Sequence, residues 1–497
     1  MNIKDKLIKW SIFILIFILP FLDMLRTTSF KDIEVVEIAL IELINIILIL
    51  VAFVTTFFKI NIRRFIKLFI YFLFVFIYIL LHYNNIINFD TRIFANASFD
   101  FMTETFYIIR VYILPLLLIF ILYENRDIFD KKFYFKIFKI VIFVISFSII
   151  ILNILKLSFI SYSPTKDFIE ANIFDYFWYK GDFKLISSRG WFDSANEISA
   201  INFMLFPINI LMLFDEQKKS NFILFWGQAF AMILLGTRTS AVGTVLIICF
   251  VIVSYFFVNL INSNQVKRWT IKNFILLSVI ICSFFSVSPF MLAKINEGKV
   301  DFSVKEQSAY DELNFESIEE KDETIINLIE KYKNEYMINE VFLELYPLEG
   351  DVEFWLKLAK RDKSLNNDSR KIKTDILNRI VERNNNPNDK WLGIGYTINF
   401  MDLERDYFYQ YYLFGIIGLL LFIVPYFGLL FSNVIKFFKN FKVNLTMKNI
   451  CLFMSPVLGL LIAYYSGHVF GWVSPMMFLA LVTAFLTYNI EEGNNES

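Results

Sequence analysis

Long apolar runs, broken by short polar stretches, fill most of the chain. They fall at roughly 8–25, 37–58, 65–82, 105–123, 138–156, 196–214, 221–236, 240–260, 274–293, 407–432, 450–466 and 473–489. Most hold about 18–25 residues with few charges, the length a helix needs to cross a hydrocarbon core of about 30 Å. Two of the polar breaks are large, 157–195 and 294–406. The second carries helical periodicity of its own. Segment 322–346 reads as one amphipathic helix with Ile325, Ile329, Tyr332 and Tyr336 on a face. Segment 351–361 has Asp351 as N-cap and Phe354, Trp355 and Leu358 on a face. A third helix, about 369–383, has Asp368 as N-cap and a stripe of Ile372, Ile376 and Ile380. Asn384 to Pro387 breaks the pattern. Such stripes are packing faces for a small domain. No internal repeat is visible.

The pattern predicts an all-α, polytopic integral membrane protein with about twelve transmembrane helices. Residues 1–293 hold helices 1–9, residues 294–406 form a mostly helical extracellular domain, and 407–497 hold helices 10–12 and a cytoplasmic tail. Orientation follows from Lys and Arg in the short loops. With the N-terminus inside, the inner segments hold 21 of these residues and the short outer segments eight. Both termini are then expected in the cytoplasm. Lys4, Lys6 and Lys9 before an apolar stretch resemble a signal peptide. No small-residue cleavage site follows, only Asp23 and Arg26, so a retained first helix is expected.

Composition agrees. Hydrophobic residues make up 57% and charged residues 19% of the 497, where a soluble domain has about 25% charged. A soluble enzyme, a disordered chain and a disulfide scaffold are excluded. With 48 basic and 48 acidic residues, no charge excess points to nucleic acid. Cys249, Cys282 and Cys451 lie inside apolar runs with no metal or disulfide spacing.

Ionisable residues in or beside spans are expensive and mark function. Arg110 lies inside the fourth run, where it either snorkels to the outer headgroups or faces an outer cavity. Arg238, in Leu235-Gly-Thr-Arg-Thr-Ser240, occupies a tight outer turn with Thr237, Thr239 or Ser240 able to cap the next helix. Its guanidinium geometry suits phosphate oxygens; the plainer reading is an interfacial anchor. Arg189 lies in Ser187-Ser-Arg-Gly-Trp-Phe-Asp-Ser-Ala-Asn-Glu197. There Asn196 and Glu197 are able to bond sugar hydroxyls and Trp191 offers a stacking face, or Ser194 simply caps a helix. Asp402, Glu404, Arg405 and Asp406 open the tenth run. They read as a general base, a divalent-metal site or an acidic first turn. His468, one of two histidines with His82, lies in a short outer turn. Glu42 is a weaker candidate. Arginines and carboxylates gathered at one membrane face suit a lipid-diphosphate substrate: the cations offset charge as the diphosphate leaves, and a carboxylate or His takes the proton of an incoming hydroxyl.

Four blocks carry a family resemblance: Gly190-Trp-Phe-Asp-Ser-Ala-Asn-Glu197; Leu234-Leu-Gly-Thr-Arg-Thr-Ser240; Trp391-Leu-Gly-Ile-Gly-Tyr396 through Glu404-Arg-Asp-Tyr407 to Phe414-Gly-Ile-Ile-Gly418; and Gly467-His-Val-Phe470. In order and membrane position they resemble the O-antigen ligase/O-antigen polymerase superfamily in its Gram-positive form. The resemblance implies a class C-type membrane glycosyltransferase, inverting and free of metal or other cofactor. It would take a polyprenyl-diphosphate-linked glycan donor and a glycan or cell-wall acceptor at the outer face of the cell membrane. It implies diphosphate binding by Arg238 and, in the large loop, Arg370; Arg110, Arg189 and Arg405 are further candidate cations from residue type and position alone. The Gram-negative ligases have a catalytic His where this chain has Glu404 and Asp406, so Glu404, Asp406 and His468 share the expectation of a base. Polymerisation and ligation both remain open. A transporter or flippase of lipid-linked saccharides is the competing class, and a non-enzymatic assembly partner the third.

Overall fold

The structure, a computed structural model, describes residues 3–28, 34–57, 60–93, 101–163, 166–176, 178–262, 266–297, 322–334, 336–361, 363–366, 369–395 and 403–495. Side chains 22, 23, 25–28, 34–42, 296, 297, 363, 364 and 492–495 lie outside that description. All named elements are helices; two isolated antiparallel bridges, Phe159 to Phe168 and Ile160 to Ser188, tie the first large loop.

In chain order the helices are α1 (Ile3–Thr28), α2 (Glu34–Phe57), α3 (Ile62–Ile86), α4 (Phe101–Glu124), α5 (Lys131–Ile154), α6 (Ala195–Glu216), α7 (Lys219–Leu234), α8 (Arg238–Ile261), α9 (Arg268–Phe285) and α10 (Pro289–Glu297). After the large loop's α11 (Asp322–Tyr332), α12 (Glu340–Leu345), α13 (Val352–Lys360) and α14 (Ser369–Asn384) come α15 (Asp406–Lys439), α16 (Met447–Tyr465) and α17 (Val473–Asn495). Among the described residues nine helical stretches are long and apolar enough to cross a membrane: α3, α4, α5, α6, α8, Arg268–Ile295, α15, α16 and Val473–Glu491. The runs expected at 8–25, 37–58 and 221–236 are helical too, in α1, α2 and α7, but are not among the nine. At 16 residues, α7 is about 24 Å long, short of a full hydrocarbon core.

The chain forms two compact units. The first comprises Met1–Tyr71, Ile108–Asn296 and Phe422–Ser497; the second comprises Phe72–Tyr107 and Glu297–Leu421. At the centre of the first unit lie α6 and α17, each with 94% of its apolar window buried. Their apolar residues run all round the helix rather than along one stripe, as a fully enclosed helix requires. Polar groups of α6 bond across to α7: Asn209 Nδ2 donates to Gln228 Oε1 at 2.8 Å, and Gln228 Nε2 to Asn202 O at 3.1 Å. By contrast only 22% of the apolar window in Arg268–Ile295 is buried, and Leu276, Val279 and Ile280 point outward. Such an apolar exterior suits lipid rather than water.

In the second unit the loop helices pack through the expected stripes. Ile325, Ile329, Phe354, Trp355, Leu358, Ile372, Ile376 and Ile380 are buried. Asp351 caps α13, its side chain accepting from Phe354 N at 3.3 Å. Asp368 lies outside the described residues. The single helix expected over 322–346 is instead two, α11 and α12. Met337 takes a left-handed φ of 56°, and Asn339 starts the second helix by accepting from Val341 N at 3.0 Å. An Asn cap at a helix start satisfies an otherwise unpaired amide.

Candidate functional site

In the first unit, three of the sequence blocks meet. The loop after α5 folds back on the segment before α6: Phe159 N donates to Gly190 O at 2.8 Å, Arg189 N to Phe159 O at 3.0 Å, and Gly190 N to Ser158 Oγ at 2.7 Å. This segment then holds the turn between α7 and α8. Ser188 N donates to Leu234 O at 2.9 Å, and Tyr162 OH donates to Gly236 O at 2.8 Å. Thr237 caps α8 by accepting from Ser240 N at 3.2 Å, and its hydroxyl lies 2.7 Å from Ser199 Oγ on α6. Thr239 Oγ1 donates to Ser466 Oγ at 3.1 Å, tying the turn to the start of the His468 turn. At the tip, the Arg238 side chain is exposed and has no hydrogen-bond or ion-pair partner among the described residues.

The neighbours of that turn have different work. Arg189 is buried; its Nη1 donates to Ser163 O at 2.9 Å and its guanidinium lies 5.9 Å from the Phe159 ring centre. It binds its own loop. Trp191 is fixed through Nε1 to Leu157 O at 2.7 Å while its ring stays 39% exposed. Ser194 caps α6 by accepting from Glu197 N, in the Ser-x-x-Glu order of a capping box. Glu197 is 1% exposed; Asn196 is half-buried on the same first turn. His468 is half-buried with φ at 62°, its ring stacked on Trp472 at 5.8 Å and its Nδ1 3.3 Å from Ser466 O. Arg110 is half-buried in a π-helical turn, Ile109–Ile113, inside α4. Pro115 follows at the start of the resumed α-helix; lacking an N–H, it favours such a widened turn.

The second unit holds the other candidates. Arg370, in the first turn of α14, meets Glu404 just before α15. Nε donates to Glu404 Oε2 at 2.7 Å and Nη2 lies 2.5 Å from the same oxygen. Both side chains are about one-third exposed, at 32% and 31%. Arg405 is half-buried, with no partner for its guanidinium among the described residues. Asp406, the first residue of α15, is 4% exposed. Tyr396, Asp402 and the rest of 396–402 lie outside the described residues, and the Glu42 side chain does too. Among the described residues no group of three or more His, Cys, Asp or Glu is placed to hold a metal ion.

Further along, α15 is broken. Gly415 has φ of 64° and ψ of −173°. The break exposes backbone that the Gly393-Ile-Gly395 segment takes up: Ile394 N donates to Tyr412 O at 3.0 Å and Gly395 N to Leu413 O at 2.9 Å. The approach is so close that a Cβ on Gly393 would lie 2.0 Å from Leu413 O, and one on Gly415 would lie 2.3 Å from Trp391 C. Three residues of α3 clamp the crossing. Tyr78 OH donates to Phe414 O at 2.7 Å; His82 spans Leu392 O at 2.6 Å and Glu104 Oε1 at 2.8 Å; Asn85 Nδ2 donates to Asp389 Oδ1 at 2.9 Å and Gly393 O at 2.8 Å. Burial pushes the Asp389 carboxyl above its usual range, partly offset by amide bonds from Asn384 and Asn85. These α3 residues carry a signal in the sequence: polar groups at i, i+4 and i+7 of an apolar run share one helix face.

The chain matches the family of O-antigen ligase like membrane proteins over residues 5–493. No curated protein and no solved structure matches it. A match over nearly all of 497 residues, on a polytopic helical fold, places the chain in the O-antigen ligase like membrane protein family.

Proposed function

We propose that the protein is an inverting membrane glycosyltransferase of the class C type. It polymerises or ligates polyprenyl-diphosphate-linked glycan repeats on the outer face of the cytoplasmic membrane, with both termini inside, twelve spans and the 294–406 segment outside. Family membership points to glycan handling in a membrane. The observation that carries the finer reading is Arg238, an exposed guanidinium without a partner among the described residues, at the tip of a turn fixed on several sides. A cation held this way costs little reorganisation when a diphosphate arrives, the condition under which charge stabilisation works best.

In the proposed reaction Arg238 takes diphosphate oxygens of the donor, with Arg110 and Arg405 as further cations. Arg370 exchanges Glu404 for a diphosphate oxygen. Glu404, released, accepts the proton of the acceptor hydroxyl. Its half-exposed setting favours it over the buried Asp406 and over His468, whose ring is stacked on Trp472. The acceptor oxygen then bonds the anomeric carbon from the face opposite the diphosphate, the anomeric carbon–oxygen bond to the diphosphate breaks, and the lipid diphosphate departs with that electron pair. Diphosphate is a good leaving group, so no general acid is required. Arg189 and Glu197 keep a share in the proposal as the frame of the loop that carries Trp191 and Asn196.

The test is a gene deletion complemented with wild type, Arg238→Ala, or the double variant Glu404→Gln/Asp406→Asn, with surface polysaccharide run on a gel. Loss of a preorganised charge contact lowers transfer about 100-fold or more. Lost long chains with single lipid-linked repeats accumulating would identify a polymerase; full-length chains retained on the carrier would identify a ligase. Wild-type length and amount from both variants would refute the mechanism.

A further inference from the structure

The second unit contains a cavity whose chemistry the reaction above does not use. It measures about 570 Å³ and is lined by Leu81, Asn84, Asn85, Asn88, Asn385, Asn386, Pro387, Asn388 and Leu392. That volume lies within the range of small-ligand sites. Six of the nine lining residues are asparagines, and none is ionisable. The last turn of α3 supplies Asn84 and Asn85, and the turn just past it Asn88. The breaker after α14 supplies the other three, where Asn385 sits at φ of 48°, a left-handed conformation Asn tolerates better than most residues.

The six amides divide into a frame and a free set. Asn85 spends Nδ2 on Asp389 and Gly393 O, and its Oδ1 accepts from Asn386 Nδ2 at 3.0 Å. Asn386 Oδ1 accepts from Asn388 N at 3.1 Å. Asn88 Nδ2 donates to Asn84 O at 2.8 Å. These bonds fix the wall. The side-chain amides of Asn84, Asn385 and Asn388 have no partner among the described residues, and all three are exposed. Each brings two donors and an acceptor oxygen with two lone pairs. A set that both gives and takes, without charge, matches the hydroxyls of a sugar, which do the same. Leu81, Pro387 and Leu392 add apolar surface for the C–H face of a pyranose. A phosphate would find no cation among these lining residues, and a divalent metal no carboxylate.

We propose that this cavity is a binding site for a neutral saccharide. Its role, holding the glycan near the growing or transferred end, rests on the function proposed above; its ligand class rests on the lining alone. Full-length protein in nanodiscs is titrated with glucose, galactose, N-acetylglucosamine and rhamnose, read by saturation-transfer NMR and calorimetry. Inorganic pyrophosphate is titrated alongside. At least one sugar is expected to bind wild type. The combined variant Asn84→Ala/Asn385→Gly/Asn388→Ala, in which glycine keeps the left-handed position unstrained, should weaken it at least tenfold and leave pyrophosphate binding unchanged. Asn84→Leu alone, at an exposed helix position, gives a milder loss and keeps the test informative should the triple variant fail to fold. A wild type that binds none of the four sugars, or variants of full sugar affinity, overturn the proposal. Sugar binding lost in the variants while Arg238→Ala leaves surface polysaccharide normal would uphold this site and refute the transferase reading.

Discussion

Asp351 holds three side chains at once. Arg379 grips it through Nε at 2.7 Å and Nη2 at 3.0 Å, Tyr346 OH donates to it at 2.8 Å, and Arg383 lies 3.5 Å away. Burial works to raise the carboxyl's pKa, but the bonds from Arg379 and Tyr346 outweigh it and hold it below the usual range. An acid with a depressed folded pKa contributes stability above its unfolded value, about 3.9, and loses it as pH falls through the folded value. Proteolysis of the 322–395 segment in the full chain should therefore be slow at neutral pH and accelerate below about pH 4. Asp351→Ala should cost about 3 kcal/mol at neutral pH, read as faster cleavage of the same segment, and should flatten the acid dependence. An unchanged pH profile in that variant would assign the acid sensitivity elsewhere.

At the scale of elements, the crossing of Gly393 and the broken α15 is the most demanding packing in the second unit. A methyl at Gly393 would strike backbone, which has nowhere to move, and the left-handed φ of 84° adds strain. Gly393→Ala and Gly415→Ala should each cost more than about 2 kcal/mol and lower the level of folded protein. Gly428→Ala, further along α15 with nothing within 4 Å of the added carbon, should be neutral or stabilising by about 0.5 kcal/mol; a size-exclusion and thermal-melt comparison of the three decides it. Much at this scale was legible beforehand. The apolar runs located every one of the nine long helices, and the stripes of Phe354, Trp355, Ile372, Ile376 and Ile380 located the loop helices and their buried faces. The crossing was not, because nothing local marks Gly393 and Leu413 as partners. The Arg370–Glu404 pair was half legible: each residue stood out alone, but the bond joins positions 34 apart. The split of 322–346 depends on Met337, a residue whose type does not announce a left-handed turn. Tyr78, His82 and Asn85 are legible as a set, since their i, i+4, i+7 spacing puts them on one helix face.

For the whole molecule, the distribution of Lys and Arg is the argument for orientation, and it is open to direct measurement. In a background lacking Cys249, Cys282 and Cys451, a membrane-impermeant thiol reagent applied to intact cells should label Glu349→Cys and leave Lys219→Cys untouched until the membrane is permeabilised. Both positions are exposed, so accessibility to water is not the variable. The reverse pattern would invert the topology and move the Arg238 turn, with the proposed chemistry, to the cytoplasm.

The clamp on α3 also bears on how the protein is made. Asn85 and its partner Asp389 are 304 positions apart. At ribosomal rates of about 5–20 residues per second, roughly 15–60 s separate the synthesis of the two. Throughout that interval α3 carries Tyr78, His82 and Asn85 before the carbonyls and the Asp389 carboxylate they bond have been translated; of these partners only Glu104, which meets His82, is made early. A nascent chain stopped before residue 385 would leave that polar face open for an insertase to hold or a membrane protease to find, so quality control of this protein should turn on whether its third helix has met its late partners.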